Sequence, residues 1–308
     1  MPKIDNPKSD IPEQLEGLHL FHYDAAPCAQ RVRFALGEKG LSRGREEKFD
    51  KVTPDSVRGE EHQWVSRRIS LPKKDHITEA YAAIHPNMVV PALVHDGTLY
   101  LESMDIIEYL DDAFGGPRLV PSDPDFRAAT LKRVKEAKVL HRSIRFVTFR
   151  WGLGRLAMLS EKERKQLADL ASHGSDGEQL VSFYDGYSTG EIPEATYFEH
   201  LNQLYGAFSA LNNEMQDGRK FLMSDVLTVA DPFWCMKILR LIECGYPVEA
   251  HHPLVYAWYQ RLAERPSFQN EVMGSNRITH RAFRFKAGVE SLFGKGLKQA
   301  VSDIEQRL

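Results

Sequence analysis

The chain has 308 residues, 42% hydrophobic and 27% charged, with 40 Lys and Arg against 43 Asp and Glu and a formal net charge of -3. That length buries a real core and accommodates roughly two domains of ordinary size. The charge balance lacks the basic excess of a nucleic-acid binder, and the apolar share excludes disordered, collagen-like and coiled-coil classes.

Residues 1–17 are polar, with no apolar core segment, and read as a loose leader and not a signal peptide. The three cysteines, Cys28, Cys235 and Cys244, are too few and too far apart for a disulfide framework or a paired-cysteine zinc site. No apolar run approaches the roughly 20 residues of a membrane helix. The expectation is a soluble cytoplasmic protein with no metal, no membrane partner and no nucleic-acid partner.

Leu18 to Tyr23 alternates like a short strand, and after a polar turn with Pro27 a helix is predicted over Gln30 to Lys39, stopped by Gly40. A second extended stretch at about Glu46 to Lys51 completes a βαβ unit, for which a parallel pair is expected. Val52 to His76 is very polar and weakly periodic, and is predicted as an insertion, either a solvated loop or a lid. Val89 to Val94 and Thr98 to Leu101 read as strands joined at His95-Asp96-Gly97, because Asp-Gly between apolar runs is a strong hairpin signal. Glu102-Ser103 precedes the amphipathic Met104 to Leu110, with Ser103 the predicted N-cap. βαβ followed by ββα is the order of a thioredoxin-like domain, here residues 18–115 with the insertion at 52–76.

Gly115-Gly116-Pro117 and Pro121 to Pro124 form a linker, and residues 126–308 are helical in pattern. The fold class is therefore an α/β thioredoxin-like N-terminal domain plus an all-α C-terminal domain with a C-terminal extension. Thr228-Val-Ala-Asp231, ahead of Pro232-Phe-Trp-Cys-Met, is a capping-box pattern with Asp231 in place of the usual Glu or Gln.

These motifs in this order, with Val90-Pro91, Glu102-Ser103, the Thr-x-x-Asp box and a stop at Ala263-Glu-Arg-Pro-Ser267, resemble the cytosolic glutathione transferases from residue 18 to about 270. The resemblance implies glutathione as co-substrate and a dimer, built from identical or different chains. It implies a cis Val90-Pro91 bond that leaves the Val90 backbone to pair with an extended tripeptide. It also implies that Ser103 binds the γ-glutamyl carboxylate at a helix start and Glu102 the ammonium. His85 and Met88 stand where the family often carries Asn and Gly. His85 is either a glutathione-side residue or a surface histidine at a helix end.

Free thiols have a pKa near about 8.5, and lowering it by about two units takes roughly 2.7 kcal/mol of thiolate stabilisation. Where many family members place a catalytic Ser or Cys, this chain has Ala26. Three substitutes remain open: Cys28, by mixed-disulfide chemistry; Tyr23, by its hydroxyl; or backbone N–H groups at the helix start. Arg31 and Arg33 are expected to be ion-pairing surface or dimer residues. The second substrate, small and hydrophobic or aromatic, is expected on the helical half near Phe146, Phe149, Trp151 and Arg145, unless these rings are the core side of a helix whose charged residues face out.

Beyond the resembling frame lie an excursion from Ser172 to Pro193 and a tail from Gly274 to Leu308, the tail either packing on the surface or covering the site. Tyr184-Asp-Gly-Tyr187 and Ile192-Pro193 resemble parts of β-aryl-etherase-like transferases, which cleave lignin-derived ethers with glutathione. The expected activity is attack of the glutathione thiolate on a hydrophobic or aromatic electrophile, including such ethers. A Cys28-dependent reductase or lyase, and a non-catalytic binding module, are the alternatives.

Overall fold

The computed structural model describes residues 3–4, 7–171 and 175–305; four leader positions (1, 2, 5 and 6), residues 172–174 of the excursion and the last three residues of the tail lie outside that range. Residues 1–117 with 156–192 form one compact unit, and residues 118–155 with 193–308 a second.

The first unit is built on a six-stranded mixed sheet. Its elements are β1 (Lys3–Ile4), β2 (Leu18–His22), α1 (Pro27–Glu38), β3 (Ser42–Lys48), β4 (Gln63–Arg68), α2 (Glu79–Ile84), β5 (Ala92–His95), β6 (Thr98–Tyr100) and α3 (Ser103–Ala113). The strand order is β1-β6-β5-β2-β4-β3. All five residues of β2 are buried, which suits a central strand. β5 and β6 form the expected hairpin, with Asp96 and Gly97 both at positive φ. α1 starts at Pro27, whose fixed φ and missing N–H suit a first helical position.

Two expectations for this unit are corrected. The parallel neighbour of β2 is β4, which comes from the segment expected to be a solvated loop or lid; the first half of the stretch near 46–51 ends β3, the edge strand beyond it, and the second half is the turn that follows. Arg67 and Arg68 disguise β4 as surface. In fact Trp64 and Val65 are buried, and the buried Arg67 guanidinium donates to the carbonyls of Lys51 (2.7 Å) and Ser56 (2.6 Å) and to His19 Nδ1 (3.1 Å). A buried cation is tolerable when its donors are satisfied, and here the turn after β3 supplies the acceptors. Nor is the leader loose throughout. β1 pairs with β6, Leu15 is buried, and Glu16 N–H donates to the Val57 carbonyl at 2.9 Å.

The remaining helices are α4 (Pro124–Val139), α5 (His141–Thr148), α6 (Glu161–Leu170), α7 (Ser175–Thr189), α8 (Glu194–Glu214), α9 (Ala230–Glu243), α10 (Val248–His251), α11 (Pro253–Ala263), α12 (Arg277–Leu292) and α13 (Leu297–Glu305). The 126–308 stretch is helical but not one unit. Leu159 and Leu167 form a buried cluster with Ile77 and Met88, against which Leu180, Val181 and Tyr184 pack, so α6 and α7 belong with the sheet. The excursion is thus mostly helix α7.

In the second unit nearly every residue of α9 is buried, and Asp231 lies at its start. One Asp231 carboxylate oxygen accepts from Leu222 N–H and the Trp258 indole (both 2.9 Å), the other from Thr228 N–H (2.8 Å) and the Thr228 hydroxyl (3.2 Å). The predicted box forms in half. Asp231 caps Thr228, while the threonine hydroxyl donates to the carboxylate and does not cap the helix. Among the described residues no helix is long and apolar enough to cross a membrane.

Candidate functional site

The first unit carries the residues singled out for binding a tripeptide. The Val90-Pro91 bond is cis and leads directly into β5. Behind it the buried Tyr81 hydroxyl donates to the Val89 carbonyl at 2.8 Å, pinning the loop from the core side. Met88, three residues before Pro91, adopts φ 51°, uncommon for a side chain of this size. Burial of Met88 in the Ile77/Leu159/Leu167 cluster offsets that strain.

Two helix N-termini follow. α3 begins at Ser103, so Glu102 and not Ser103 is the N-cap, and the Glu102 side chain makes no capping hydrogen bond. The predicted cap is displaced by one residue because Ser103 already has helical geometry. Ser103 is buried and Glu102 exposed, at the positive end of the helix. α1 begins with Ala26 as N-cap, extended at φ -80° and ψ 122°, and with no side-chain cap. Pro27 has no N–H, so the first-turn donors of α1 are those of Cys28 and Ala29.

The turn between β2 and α1 is held from below. Asp24, buried, accepts from Arg33 Nη1 (2.5 Å) and Arg43 Nη1 (2.8 Å), and Arg33 Nη2 donates to the Asp24 carbonyl (2.6 Å). Arg33 is therefore an internal strut, not a surface or dimer residue. It is legible only once β3 has brought Arg43 to the turn. His22 lies 3.7 Å from Asp24, yet burial first, then the Arg33 guanidinium, hold its pKa well below the usual value, outweighing the carboxylate. Tyr23 is half-buried against the sheet core. Cys28 is the one cysteine of three that is not buried, and Arg31 donates to its Sγ at 2.5 Å.

His85 does not stand beside these groups at the surface. It is 1% exposed at the end of α2, tilted against Tyr81 at a 6.3 Å ring separation, and burial lowers its pKa to about 4. A neutral, enclosed imidazole is a core residue. Neither a ligand contact nor a surface position describes it.

The second unit carries the aromatic candidates. Phe146 and Trp151 are each 6% exposed. Phe146 lies tilted by 37° against His200 at a 4.1 Å ring separation, and Trp151 packs edge-on against Tyr197 and Phe198 of α8. Their rings are spent on the helical core, which corrects their reading as a ligand cradle. Phe149 and Arg145 are half-buried. Phe149 opens a π-helical turn, Phe149–Leu153, a form frequent at functional sites. Gly152 in that turn lies against Cys244, where an added Cβ would meet the sulfur at 2.5 Å.

Comparisons with known proteins bear on the family of the chain. The profile of the glutathione S-transferase N-terminal domain matches residues 20–118, and that of the C-terminal domain residues 161–266. The chain is 31% identical over 109 residues to maleylacetoacetate isomerase of Mus musculus and 34% over 116 residues to glutathione S-transferase L3 of Arabidopsis thaliana. These matches cover 35% and 37% of this chain and 42% and 40% of the relatives, so it spans about two fifths of their length. A 2,5-dichlorohydroquinone reductive dechlorinase of Sphingobium indicum is 27% identical over 294 residues, 82% of each chain. Among solved structures, β-etherase LigF from Sphingobium sp. strain SYK-6 shares the fold, with a TM-score of 0.66 at 21% identity over 82% of this chain and 97% of that one.

Proposed function

The chain belongs to the glutathione S-transferase superfamily, and from that premise we propose that it is a glutathione-dependent enzyme acting on a hydrophobic or aromatic electrophile. One observation carries the proposal: the cis Val90-Pro91 corner and the α3 start, where Glu102 caps nothing, lie in one unit. Val90 offers its backbone to the cysteinyl residue, while Ser103 and the first-turn N–H groups of α3 receive the γ-glutamyl carboxylate and Glu102 its ammonium. The α1 start, lacking any side-chain cap, supplies N–H groups and the positive end of its dipole to the sulfur, with Tyr23 as a further donor. The thiolate then forms a carbon–sulfur bond as the carbon–oxygen or carbon–halogen bond breaks. The leaving group departs with the electron pair and, if an alkoxide or phenoxide, takes up a proton.

Within this class the preferred substrate is a lignin-derived β-aryl ether, supported by the likeness of fold to a β-etherase. Phe149 and Arg145 are the proposed contacts to the electrophile. The protein is proposed to be a cytoplasmic dimer. Calorimetric titration with glutathione, followed by a phenol-release assay on a β-aryl ether, tests the proposal. Saturable uptake with product is expected, and no uptake at millimolar glutathione defeats it.

A second reading is favoured by Cys28, partly exposed and paired with Arg31, and by the relative named as a reductive dechlorinase. Here the Cys28 thiolate attacks the sulfur of a glutathionyl–substrate adduct, a sulfur–sulfur bond forming as that sulfur's bond to the substrate breaks, and the substrate group leaves with the electron pair and takes up a proton. Cys28→Ser separates the readings: retained ether cleavage supports transfer, and abolished turnover with intact glutathione binding supports exchange.

A further inference from the structure

α12 carries a feature that neither the sheet site nor the helical core uses. Ile278, Phe285, Leu292 and Phe293 are between 75% and 85% exposed, and Val289 is exposed as well. At 100° per residue these five fall on one side of the helix, a stripe about 24 Å long. Soluble monomers rarely display so continuous an apolar surface without a partner. The helix is anchored: on the side opposite the stripe Glu243 accepts from His280 at 3.2 Å and Ala287 closes against Gly245, and at the stripe's edge Lys286 donates to the Trp151 carbonyl at 3.1 Å. The stripe is thus presented by a docked helix.

Charge selects the partner. From Arg277 to Lys295 there are five Lys and Arg against one Glu, in a chain whose formal net charge is -3. Lys286 pairs with Glu290, but among the described residues no carboxylate pairs with Arg277, Arg281 or Arg284, all of which are exposed. Those three arginines flank one long edge of the stripe. A second copy laid on it would bring two helices of like net charge together. A lone convex ridge with Phe and Leu at its crest and cations at its border matches an interfacial amphipathic helix.

We propose that α12 docks the protein peripherally on an anionic lipid surface, its apolar stripe entering the headgroup boundary and its arginines meeting lipid phosphates and carboxylates. This concerns lying on a membrane, not crossing one, and it does not depend on the proposed activity.

Vesicle flotation with the pure full chain tests it. Vesicles of phosphatidylcholine mixed with phosphatidylserine should carry the protein at low salt, and pure phosphatidylcholine vesicles at least about tenfold less. The pair Phe285→Ser and Phe293→Ser, and separately the pair Arg277→Glu and Arg281→Glu, should each lower binding by about tenfold or more. All four side chains are exposed, so circular dichroism and glutathione uptake should be unchanged in both variants. No binding to mixed vesicles, equal binding to neutral ones, or full binding by both variants overturns the proposal. So does a dimer that the phenylalanine variant splits, because a second copy then covers the stripe.

Discussion

Two kinds of helix start divide the molecule. At α9 the buried Asp231 carboxylate is saturated by four donors from Leu222, Thr228 and Trp258, so nothing there is left for a ligand. At α1 and α3 the N-cap residues are Ala26 and Glu102, neither of which caps through its side chain. The physics of the three ends is the same, a set of backbone N–H groups at a positive pole. What differs is the first turn: no side chain caps α9 either, but the buried Asp231 carboxylate sits at its start with both oxygens filled by donors from outside the helix. A start that holds its own buried carboxylate serves the scaffold, and one without it is placed to receive an anion from outside.

The contrast breaks first at α9. Asp231→Ala orphans buried donors, each costing about 1–3 kcal/mol, so denaturant unfolding should show a loss of more than about 3 kcal/mol. A loss below about 1 kcal/mol would put α9 in the same class as the open starts.

Acid tests the sheet unit next. His76 and His85 have pKa values lowered to about 4 from 6.5, with burial the largest cause, and His19 likewise. A histidine depressed on folding favours the neutral form, so its stabilisation is present above the unfolded value and is lost as pH falls from 6.5 toward about 4. Unfolding midpoints should drop over that window, and His85→Asn should flatten the slope. An unchanged slope would mean that this imidazole is already protonated in the fold.

Smaller effects sharpen the comparison at the open ends. Ser103→Ala should leave the unfolding midpoint nearly unchanged while weakening glutathione about tenfold by calorimetry, the scale of one charge-assisted hydrogen bond. A stability loss without an affinity loss would make it a scaffold residue. Smallest is Ala26→Ser, which adds the missing cap and should stabilise by about 0.5–1 kcal/mol in thermal unfolding. It should also lower the pKa of bound glutathione, read from thiolate absorbance against pH.

Much of this was open to reading along the chain because it rests on local rules. The Asp96-Gly97 hairpin and the helical second half follow from turn chemistry and periodicity over a few residues, and the cis Val90-Pro91 corner from the family resemblance. β4 was missed because its inward position 67 is an arginine, whose acceptors lie 11 to 48 residues away. His85, Phe146 and Trp151 were misplaced for a related reason. Composition shows that such side chains are able to bind a ligand, but only packing reveals that Tyr81, His200 and Phe198 already occupy them.

By itself, then, the order of residues determined the class of fold, the hairpin, the proline corner and the absence of a Ser or Cys at position 26, since each depends on neighbours in sequence. Tertiary structure alone decided that β4 enters the sheet, that α6 and α7 join the first unit, and that Arg33 is a strut for Asp24. Burial and hydrogen-bond satisfaction belong to groups brought together from distant positions, and no window along the chain contains both partners.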